Sequence, residues 1–454
     1  MAAQIENLKK AISEASLKFK EMESLSGYIS IIVETSPDPV AASLLLSSYL
    51  ISHNKPFTVR FIDPFLSITN LTKPPHGVTL FLGYTGLQSP KSYPSLEIST
   101  YSDPPLSGNV LNPHIFGLNG VLIGSTTALT YLLLKELGYT TPNLASAIIG
   151  GILASQADFD PEKLGGLNKN VLSDLEQISS VESSNGLKIP MVEGIDLSVA
   201  LSLMLDPFVL GVSGDQKGSL NMIQDLVKKK RLNKQSGLVS GIDARVLFDE
   251  LSKIRLQNGF KEVDEKTLLG SIYMDRSHPI DSPLRNAIGV ALALEACVSL
   301  HALTLIYGVF LRGKKEEYRQ VFEIMQNYST MIASLAKQII QSQEYFRETQ
   351  NALYVFAPPQ TQRGLALRTA KIIAQNKAFH FKPVILVSSI NHWSQAVGVI
   401  SPQNSSTIDL GNIFKIAAER SKGVGYGSSN HAIAFIPTPY VESFFDDIDV
   451  RLSG

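Results

Sequence analysis

Short apolar runs alternate with amphipathic segments along the first 155 residues of the chain. Apolar runs of about six residues predict buried strands, and longer runs with a 3.6-residue period predict helices. The predicted strands are 28–33, 56–62, 77–83 and 95–100, and the predicted helices are 39–51, 126–138 and 143–155. This alternation is typical of a parallel sheet with helices on both faces, in which ligands bind at the carboxyl ends of the strands.

The first predicted strand leads into the polar turn ETSPD, and the first predicted helix follows. Asp is favoured at the N-cap of a helix and Pro at the first helical position. Asp38 and Pro39 stand in this order, so we predict that Asp38 caps the helix that begins at Pro39. Since the turn lies where α/β enzymes place their ligand sites, metal binding by Asp38 is the alternative.

Two segments are predicted to pack within the protein. Apolar residues recur at helical spacing between Ile5 and Phe19, and the N-terminus shows no apolar signal core. Residues 288–311 are long and apolar enough to span a bilayer, but Glu295 and His301 lie inside them. Charged residues are costly at the centre of a membrane, so we expect a buried core segment.

The region from about residue 160 to residue 312 has a less regular, mostly helical pattern. It contains the sequence VKKKRLNK, residues 227–234, in which five of eight residues are basic. Such a run is typical of a solvated helix end or of a contact with nucleic acid or an acidic partner. The sequence leaves both interpretations open.

One long helical pattern covers residues 313–350 and precedes a return to strands. Its apolar positions form a narrow seam at intervals of three and four residues: Val321, Met325, Tyr328, Ile332, Leu335 and Ile339. The last hundred residues then predict strands at 383–389 and 395–402, a helix at 409–423 and a glycine-rich turn with an apolar strand within 423–437. We predict a second, smaller α/β domain there, joined to the first by the long helix.

Composition narrows the class of protein. The 454 residues are 44% hydrophobic and 18% charged, and 40 basic against 41 acidic residues give a net charge of -1. A protein that binds nucleic acid by its overall charge has a basic excess, so any such binding here requires a local patch. Cys297 is the only cysteine, which excludes an intramolecular disulfide and a thiolate zinc site and suits a reducing cytoplasm.

Several segments together resemble the DHH phosphoesterase superfamily, and most closely its archaeal RecJ-like branch. They are LNPHIFGLNG (111–120), GSTTALTYLLLKELG (124–138), NLASAIIGG (143–151), GGLNKNVLSDLEQISSVESSNGLKIP (165–190), LDPFVLGVSG (205–214), DSPLRNAIGVALALEAC (281–297) and DLGNIFKIAAERSKGVGYGSSNHAIAFIP (409–437). They follow the family's order over nearly the whole chain, and the last is similar to a DHHA1 domain. The resemblance implies an α/β fold with a DHH-type parallel-sheet domain and a smaller α/β DHHA1-type domain, joined by a long helix.

The resemblance also suggests domain boundaries. We predict a DHH core at 1–160, a mostly helical continuation at 161–312, a connecting helix at 313–350 and a DHHA1-like domain at 351–454.

Family members hydrolyse phosphodiesters with two manganese or magnesium ions held by Asp and His, and this sequence departs from their motifs. Hard cations of this kind need carboxylate oxygens a few ångströms apart. The first family motif resembles His-x-Asp-x-Asp-Gly. In this chain Glu34 stands at the His, and Ser36 and Asp38 stand at the two Asp. Asp38 is thus the one ligand of this motif that is retained.

The other three metal motifs are also altered. Tyr84 stands at the Asp of the second motif, and Ala154 stands at the Asp of the fourth. Tyr101, Ser102 and Asp103 are the nearest occupants of the Asp-His-His motif. A phenol is a poor ligand for magnesium or manganese. The resemblance therefore implies a degenerate site, and we expect no catalytic residue, no bound metal and no other cofactor.

The DHHA1-like segment is altered at its nucleic-acid-binding positions. Ser401 and Gln403 stand where relatives have a Ser-x-Arg that grips a phosphate. Gly425, Gly427 and Ser428 stand in the loop that relatives build as Gly-Gly-Gly-His. Backbone amides of such a loop can bind phosphate, but the bidentate cation is missing. Weak binding of single-stranded nucleic acid and a merely structural turn are both open.

A fold kept after its metal site has gone is typical of a scaffold. The RecJ-like branch includes proteins without nuclease activity that join the GINS complex and the MCM ring in the replicative helicase. On this resemblance we expect an inactive scaffold with the GINS complex and MCM helicase as partners, and single-stranded DNA as a further contact. The alternatives are a single-strand-specific exonuclease with an atypical metal site and a small-molecule or nucleotide phosphoesterase.

Overall fold

The computed structural model describes most of the chain and divides it into two compact units. The described residues are 1–62, 78–83, 94–101, 109–155, 161–190, 193–233, 239–313, 315–358, 361–379, 382–400 and 408–453. The first unit combines Met1–Ser184 with Ser271–Phe322, and the second combines Asn185–Gly270 with Glu323–Gly454. Each unit is thus built from two stretches of chain, and the domain boundaries that the sequence suggests stay a prediction.

The helices and strands are as follows. The helices are α1 (Ala2–Leu25), α2 (Pro37–Ser52), α3 (Gly120–Ile123), α4 (Thr126–Glu136), α5 (Ala145–Ser155), α6 (Gly166–Ile178), α7 (Leu197–Leu203), α8 (Gln216–Lys228), α9 (Gly241–Gln257), α10 (Glu265–Leu268), α11 (Ala287–Ser299), α12 (Leu303–Arg312), α13 (Lys315–Gln341), α14 (Ala366–Ala374), α15 (Leu410–Arg420) and α16 (Val441–Leu452). The strands are β1 (Ile29–Glu34), β2 (Phe57–Ile62), β3 (Val78–Leu82), β4 (Ser95–Ile98), β5 (Asn109–Leu111), β6 (Val181–Leu187), β7 (Leu269–Asp275), β8 (Phe346–Glu348), β9 (Leu353–Phe356), β10 (Val384–Ile390), β11 (Trp393–Val399), β12 (Val424–Gly427) and β13 (His431–Pro437).

A parallel sheet forms the centre of the first unit. Its strand order is β2-β1-β3-β4-β5, and every neighbouring pair is parallel. All six residues of β1 are buried, because this apolar strand lies between two others. Val33 is in register with Phe61 of β2 and Leu82 of β3, so these strands end at the same edge. The α/β class with a parallel sheet is confirmed.

The apolar segment 288–311 contributes to two helices, α11 and α12. The first, α11, is buried along most of its length, and His301 lies in the exposed turn before α12. The prediction of a buried core segment is therefore confirmed for α11. Among the described residues, none of the helices combines the length and hydrophobicity that crossing a bilayer requires.

A six-stranded sheet organises the second unit, in the order β12-β13-β11-β10-β9-β8. The pair β9–β10 is parallel and the other pairs are antiparallel. Its core contains Tyr354, Phe414, Phe444 and Phe445, all nearly or fully buried. The ring centroids of Phe414 and Phe444 lie 5.4 Å apart, edge to face. This mixed sheet belongs to the second α/β domain that the sequence predicts near the C-terminus.

The long helix is shorter than the sequence pattern suggested. It ends at Gln341, and a 3-10 turn and the short strand β8 follow before residue 350. The prediction that the helix extends to residue 350 is therefore wrong, since the helix ends nine residues earlier. The apolar seam itself is buried from Val321 to Ile339. That this helix joins two domains stays a prediction.

Two glycines allow α5 to approach its neighbours closely. A Cβ atom on Gly151 would lie in severe overlap with Ala41 Cβ of α2 and 2.6 Å from Thr127 Oγ1 of α4. A Cβ atom on Gly150 would lie 2.7 Å from Val290 Cβ of α11. The glycines therefore set the distance between α5 and the helices around it.

Gly151→Ala tests this packing. Alanine stabilises an exposed helix position by about 1 kcal/mol relative to glycine, but here we expect the overlap to lower the free energy of unfolding by about 1–3 kcal/mol. Urea denaturation followed by circular dichroism measures the change. Gly27→Ala is the control, because nothing lies within 4 Å of its added methyl group. A Gly151→Ala protein as stable as the wild type would contradict the close approach.

Candidate functional site

The carboxyl ends of β1 and β4 bring two predicted site positions together. Glu34 is the last residue of β1 and is only 3% exposed. Tyr101 follows the end of β4, and its hydroxyl donates a hydrogen bond of 2.6 Å to Glu34 Oε1. The residues that stand at the family's first and third motifs thus meet as a carboxylate–phenol pair.

Gly83 makes room for this carboxylate. It directly follows β3 and has φ = 75°, a backbone conformation that favours glycine. A Cβ atom there would overlap Glu34 Oε2 and would lie 2.6 Å from Pro39 Cγ. Gly83 is not among the predicted site residues, although a glycine at the end of a buried strand signals a close approach of another group to the backbone.

Asn112 fixes the segment that carries Tyr101. Its side chain is fully buried, and Nδ2 donates to Ser99 Oγ at 3.0 Å and to the Tyr101 carbonyl oxygen at 3.1 Å. Its Oδ1 accepts from the His114 amide at 2.8 Å. The segment LNPHIFGLNG, which contributes to the family resemblance, therefore has a structural function beside the sheet edge.

Asp38 caps a helix, but not the helix that the sequence suggested. The helix α2 begins at Pro37, Ser36 is its N-cap residue, and no side chain caps it. The Asp38 carboxylate instead accepts hydrogen bonds from the backbone amides of Thr126 and Thr127, both at 2.8 Å. These amides begin α4, where a negative charge is favourable. The prediction that Asp38 caps its own helix is wrong, and the capped helix is α4.

Burial keeps the Asp38 carboxylate away from water. The residue is 5% exposed, and desolvation raises the pKa of its carboxyl, while the hydrogen bonds from Thr126 and Thr127 lower that pKa in part. Thr127 Oγ1 also donates to the Asp38 carbonyl oxygen at 2.9 Å. The side chain and the carbonyl oxygen of Asp38 thus form hydrogen bonds that join α2 to α4.

The remaining metal-motif positions contribute no further ligand in the described part of the chain. Ser36 is half-buried at the start of α2, and Ala154 is half-buried near the end of α5. Tyr84, Ser102, Asp103, Ser401 and Gln403 lie outside the described residues. Among the residues that are described, no group of three or more His, Cys, Asp or Glu could hold a metal ion. The donors present here do not fit a pair of divalent cations, which needs several carboxylates or imidazoles around one centre.

The glycines of the C-terminal segment lie in a strand and not in a turn. A Cβ atom on Gly425 would lie 2.7 Å from the Phe414 carbonyl carbon of α15, and one on Gly427 would lie 2.6 Å from Ala432 Cα of β13. Ser428 begins the turn after β12 and is 2% exposed. Close packing of β12 is therefore a sufficient reason for both glycines, and a role in nucleic-acid binding stays a prediction.

His431 brings no positive charge to this turn. Burial, with a smaller contribution from Lys371, lowers the pKa of its imidazole to about 3. Its Nδ1 lies 2.9 Å from Ser428 Oγ and 3.0 Å from Asn430 Oδ1. The imidazole is neutral at neutral pH and serves to order the turn.

The chain combines a five-stranded parallel sheet and a six-stranded mixed sheet. This is the RecJ-like α/β fold that the sequence resemblance implies. Among solved structures, Cdc45 from Entamoeba histolytica is similar over 98% of this chain and 99% of that chain, with a TM-score of 0.62 and 10% identity. RecJ from Thermus thermophilus, in complex with Mn²⁺, is similar over 98% of this chain and 55% of its own, with a TM-score of 0.54 and 12% identity. No family model and no curated protein matches the sequence. Identity this low shows a common fold alone.

Asp38→Ala tests the capping role. Removing the carboxylate leaves two buried amides without an acceptor, so we expect the free energy of unfolding to fall by about 1–3 kcal/mol. Thermal denaturation measures the loss, and Glu14→Ala, at an exposed position of α1, is the control. If both variants unfold at the same temperature, Asp38 does not join α2 to α4.

A second carboxyl near this edge has an unusual pKa. Glu97 lies in β4, and Ser99 Oγ donates to its Oε1 at 3.1 Å. Burial raises the pKa of the Glu97 carboxyl from 4.5 to about 7, although the bond from Ser99 opposes this shift. The folded protein therefore holds this proton more tightly than the unfolded chain.

Glu97→Gln should change how stability depends on pH. The proton on Glu97 stabilises the fold fully below pH 4.5, and this contribution is lost as the pH rises towards 7. The free energy of unfolding of the glutamine variant, minus that of the wild type, should therefore rise by about 1–3 kcal/mol from pH 5 to pH 8. Urea denaturation at the two pH values measures the difference. If the two proteins differ in free energy of unfolding by the same amount at both pH values, the pKa of Glu97 is not raised. Glu14→Gln is the control, and its difference from the wild type should not change with pH.

Proposed function

We propose that the chain is a non-catalytic RecJ-like scaffold subunit of an archaeal replicative helicase, and that it binds a GINS complex and an MCM helicase. Its similarity in fold to Cdc45 extends over 98% of this chain and 99% of that one. The observation that carries the proposal is the use of Asp38. The one ligand retained from the first metal motif is bound to the backbone of α4.

The chemistry of the strand ends also supports a non-catalytic role. Two-metal hydrolysis needs bridging carboxylates that hold two ions about 4 Å apart. Here the carboxylate of Glu34 accepts a hydrogen bond from the Tyr101 hydroxyl. A phenol that donates to a carboxylate stabilises its buried negative charge. In this proposal the edge of the sheet has exchanged metal coordination for internal hydrogen bonds.

The retained fold is then the functional element. A scaffold acts through its surface, and a near-neutral net charge of -1 is compatible with contacts that are mainly to protein. In this proposal residues 1–160 form the degenerate DHH core and residues 351–454 form the DHHA1-like domain. Single-stranded DNA is a further contact of the same subunit.

Affinity purification of the full chain from native extract tests the proposal. We expect subunits of a GINS complex and of an MCM helicase to co-purify, because a scaffold subunit is recovered with its assembly. Mass spectrometry identifies them, and a parallel purification of an unrelated tagged protein is the control. Recovery of the chain without any GINS or MCM subunit would count decisively against the scaffold role.

A nuclease assay separates the scaffold from the exonuclease alternative. The purified protein should leave labelled single-stranded DNA intact in the presence of Mn²⁺. Glu34→Gln is the variant to compare with the wild type, because it removes the carboxylate charge that a metal ion would need. It still keeps an acceptor for the Tyr101 hydroxyl and changes the shape of the side chain little. If the wild type cleaves the DNA with Mn²⁺ and this variant does not, while both proteins melt at the same temperature, the chain is an exonuclease and the proposal of a non-catalytic scaffold is wrong.

A further inference from the structure

Basic residues are concentrated between residues 216 and 257. This segment has nine basic and four acidic residues, which gives a net charge of +5 in a chain whose net charge is -1. Charge asymmetry of this size within one chain is typical of a surface that contacts a polyanion.

Four consecutive basic residues surround the C-terminal end of α8. Lys228 is the last residue of the helix, Lys229 is its C-cap residue, and Lys230 and Arg231 follow. All four are exposed. Within the described part of the chain, none of the three lysines forms an ion pair or a hydrogen bond with its side chain. We call Lys228, Lys229, Lys230, Arg231 and the nearby Lys253 the α8 basic surface.

The acidic residues around this surface do not neutralise it. Glu250 of α9 lies 3.1 Å from Arg231 and 3.5 Å from Lys253, so one carboxylate is shared by two cations. The side chains of Arg231 and Lys253 are still 43% and 60% exposed. The exposed acidic residues of these two helices are Asp225 and Asp249, and Glu250 is half-buried. The basic residues of the surface therefore outnumber the carboxylates beside them.

A solvated helix end does not account for the whole surface. The helix dipole favours cations in the last turn of a helix, which explains Lys228 and Lys229. Lys230 has φ = 54°, and the backbone amides of Lys230 and Arg231 donate to the carbonyl oxygens of Val227 and Leu226, so both residues still lie at the negative end of this dipole. Lys253 belongs to α9, and the dipole of α8 does not account for its place on the surface.

The C-terminal end of α8 lacks the features of a protein interface, although Leu220 of α8 and Ile242 and Leu256 of α9 are exposed. Such interfaces have an apolar core with aromatic anchors. Between residues 221 and 233 no large apolar side chain is exposed, and Ile223, Leu226 and Leu232 are each at most 3% exposed. Contacts to phosphate groups are instead electrostatic and independent of sequence, and exposed lysines supply them. We propose that the α8 basic surface binds the phosphate backbone of a nucleic acid.

This contact would differ from the one that the family resemblance implies. The C-terminal turn has a neutral His431 and two glycines used in packing, whereas the α8 basic surface provides exposed cations. The proposal adds a binding site to the proposed scaffold but does not depend on it. The purified chain alone tests the site, and co-purification of partners tests the scaffold.

A triple variant of the full chain tests the proposal: Lys228→Gln, Lys229→Gln and Lys230→Asn. Asparagine is chosen at position 230 because it tolerates the positive φ found there. Fluorescence anisotropy with labelled single-stranded DNA, duplex DNA and RNA over a series of salt concentrations measures binding. For single-stranded DNA we expect about tenfold weaker binding at low salt. The slope of log K against log salt should become shallower by about 2, since each phosphate contact contributes about 0.7.

The matched control removes the same charge elsewhere. Lys10→Gln, Lys18→Gln and Lys20→Gln change three exposed lysines of α1, and this protein should keep the wild-type slope. Equal slopes for the two triple variants would overturn the proposal, as would a wild-type protein that binds none of the three nucleic acids at low salt. Binding of polyglutamate but of no nucleic acid, lost in the α8 variant, would assign the surface to an acidic protein segment instead. Comparison of the three nucleic acids shows which of them provides the phosphates.

Discussion

Two backbone amides at the start of α4 donate to the carboxylate of Asp38, and this contact joins the turn after β1 to a helix almost ninety residues further along the chain. The contact satisfies two amides that a helix leaves without partners at its N-terminus. It places a negative charge where the dipole of α4 is positive, and it buries that charge. Because Thr127 also donates to the Asp38 carbonyl oxygen, the start of α2 is fixed by its side chain and by its backbone. Pro39, the next residue, lies beside Gly83 at the same edge of the sheet.

The same edge shows how internal hydrogen bonds stabilise a buried carboxylate. Glu34 lies at the end of a strand that is buried on both faces, and an isolated carboxylate there would be very unfavourable. The Tyr101 hydroxyl donates to it at 2.6 Å, and Asn112 fixes the backbone of Tyr101. Gly83 leaves the space that the carboxylate occupies. In this arrangement a hydrogen-bond donor that follows β4 reaches across the end of β3 to a carboxylate at the end of β1.

The sequence was informative where the signal is local. The strands β1 to β4 and helix α2 follow from apolar runs and turn residues within a few positions of one another. Contacts between distant segments have no such signal, so the local pattern around Asp38 indicates α2 instead of α4, and no pattern indicates the pairing of Glu34 with Tyr101. The end of α13 does have a local signal, since its apolar seam stops at Ile339 and the helix ends two residues later. The family resemblance identified the fold because it combines segments from the whole chain.

The distribution of charge explains how one chain can have nearly no net charge and still offer an electrostatic surface. With a net of +5 between residues 216 and 257, the remaining residues carry -6 in total. Screening limits exposed charges to a range of about 10 Å at moderate salt, so distant carboxylates do not cancel a cluster of lysines. Glu250 is close enough to act, but its one carboxylate is shared by Arg231 and Lys253, two of the five cations of the α8 basic surface. Local charge, and not net charge, therefore decides which part of this protein attracts a polyanion.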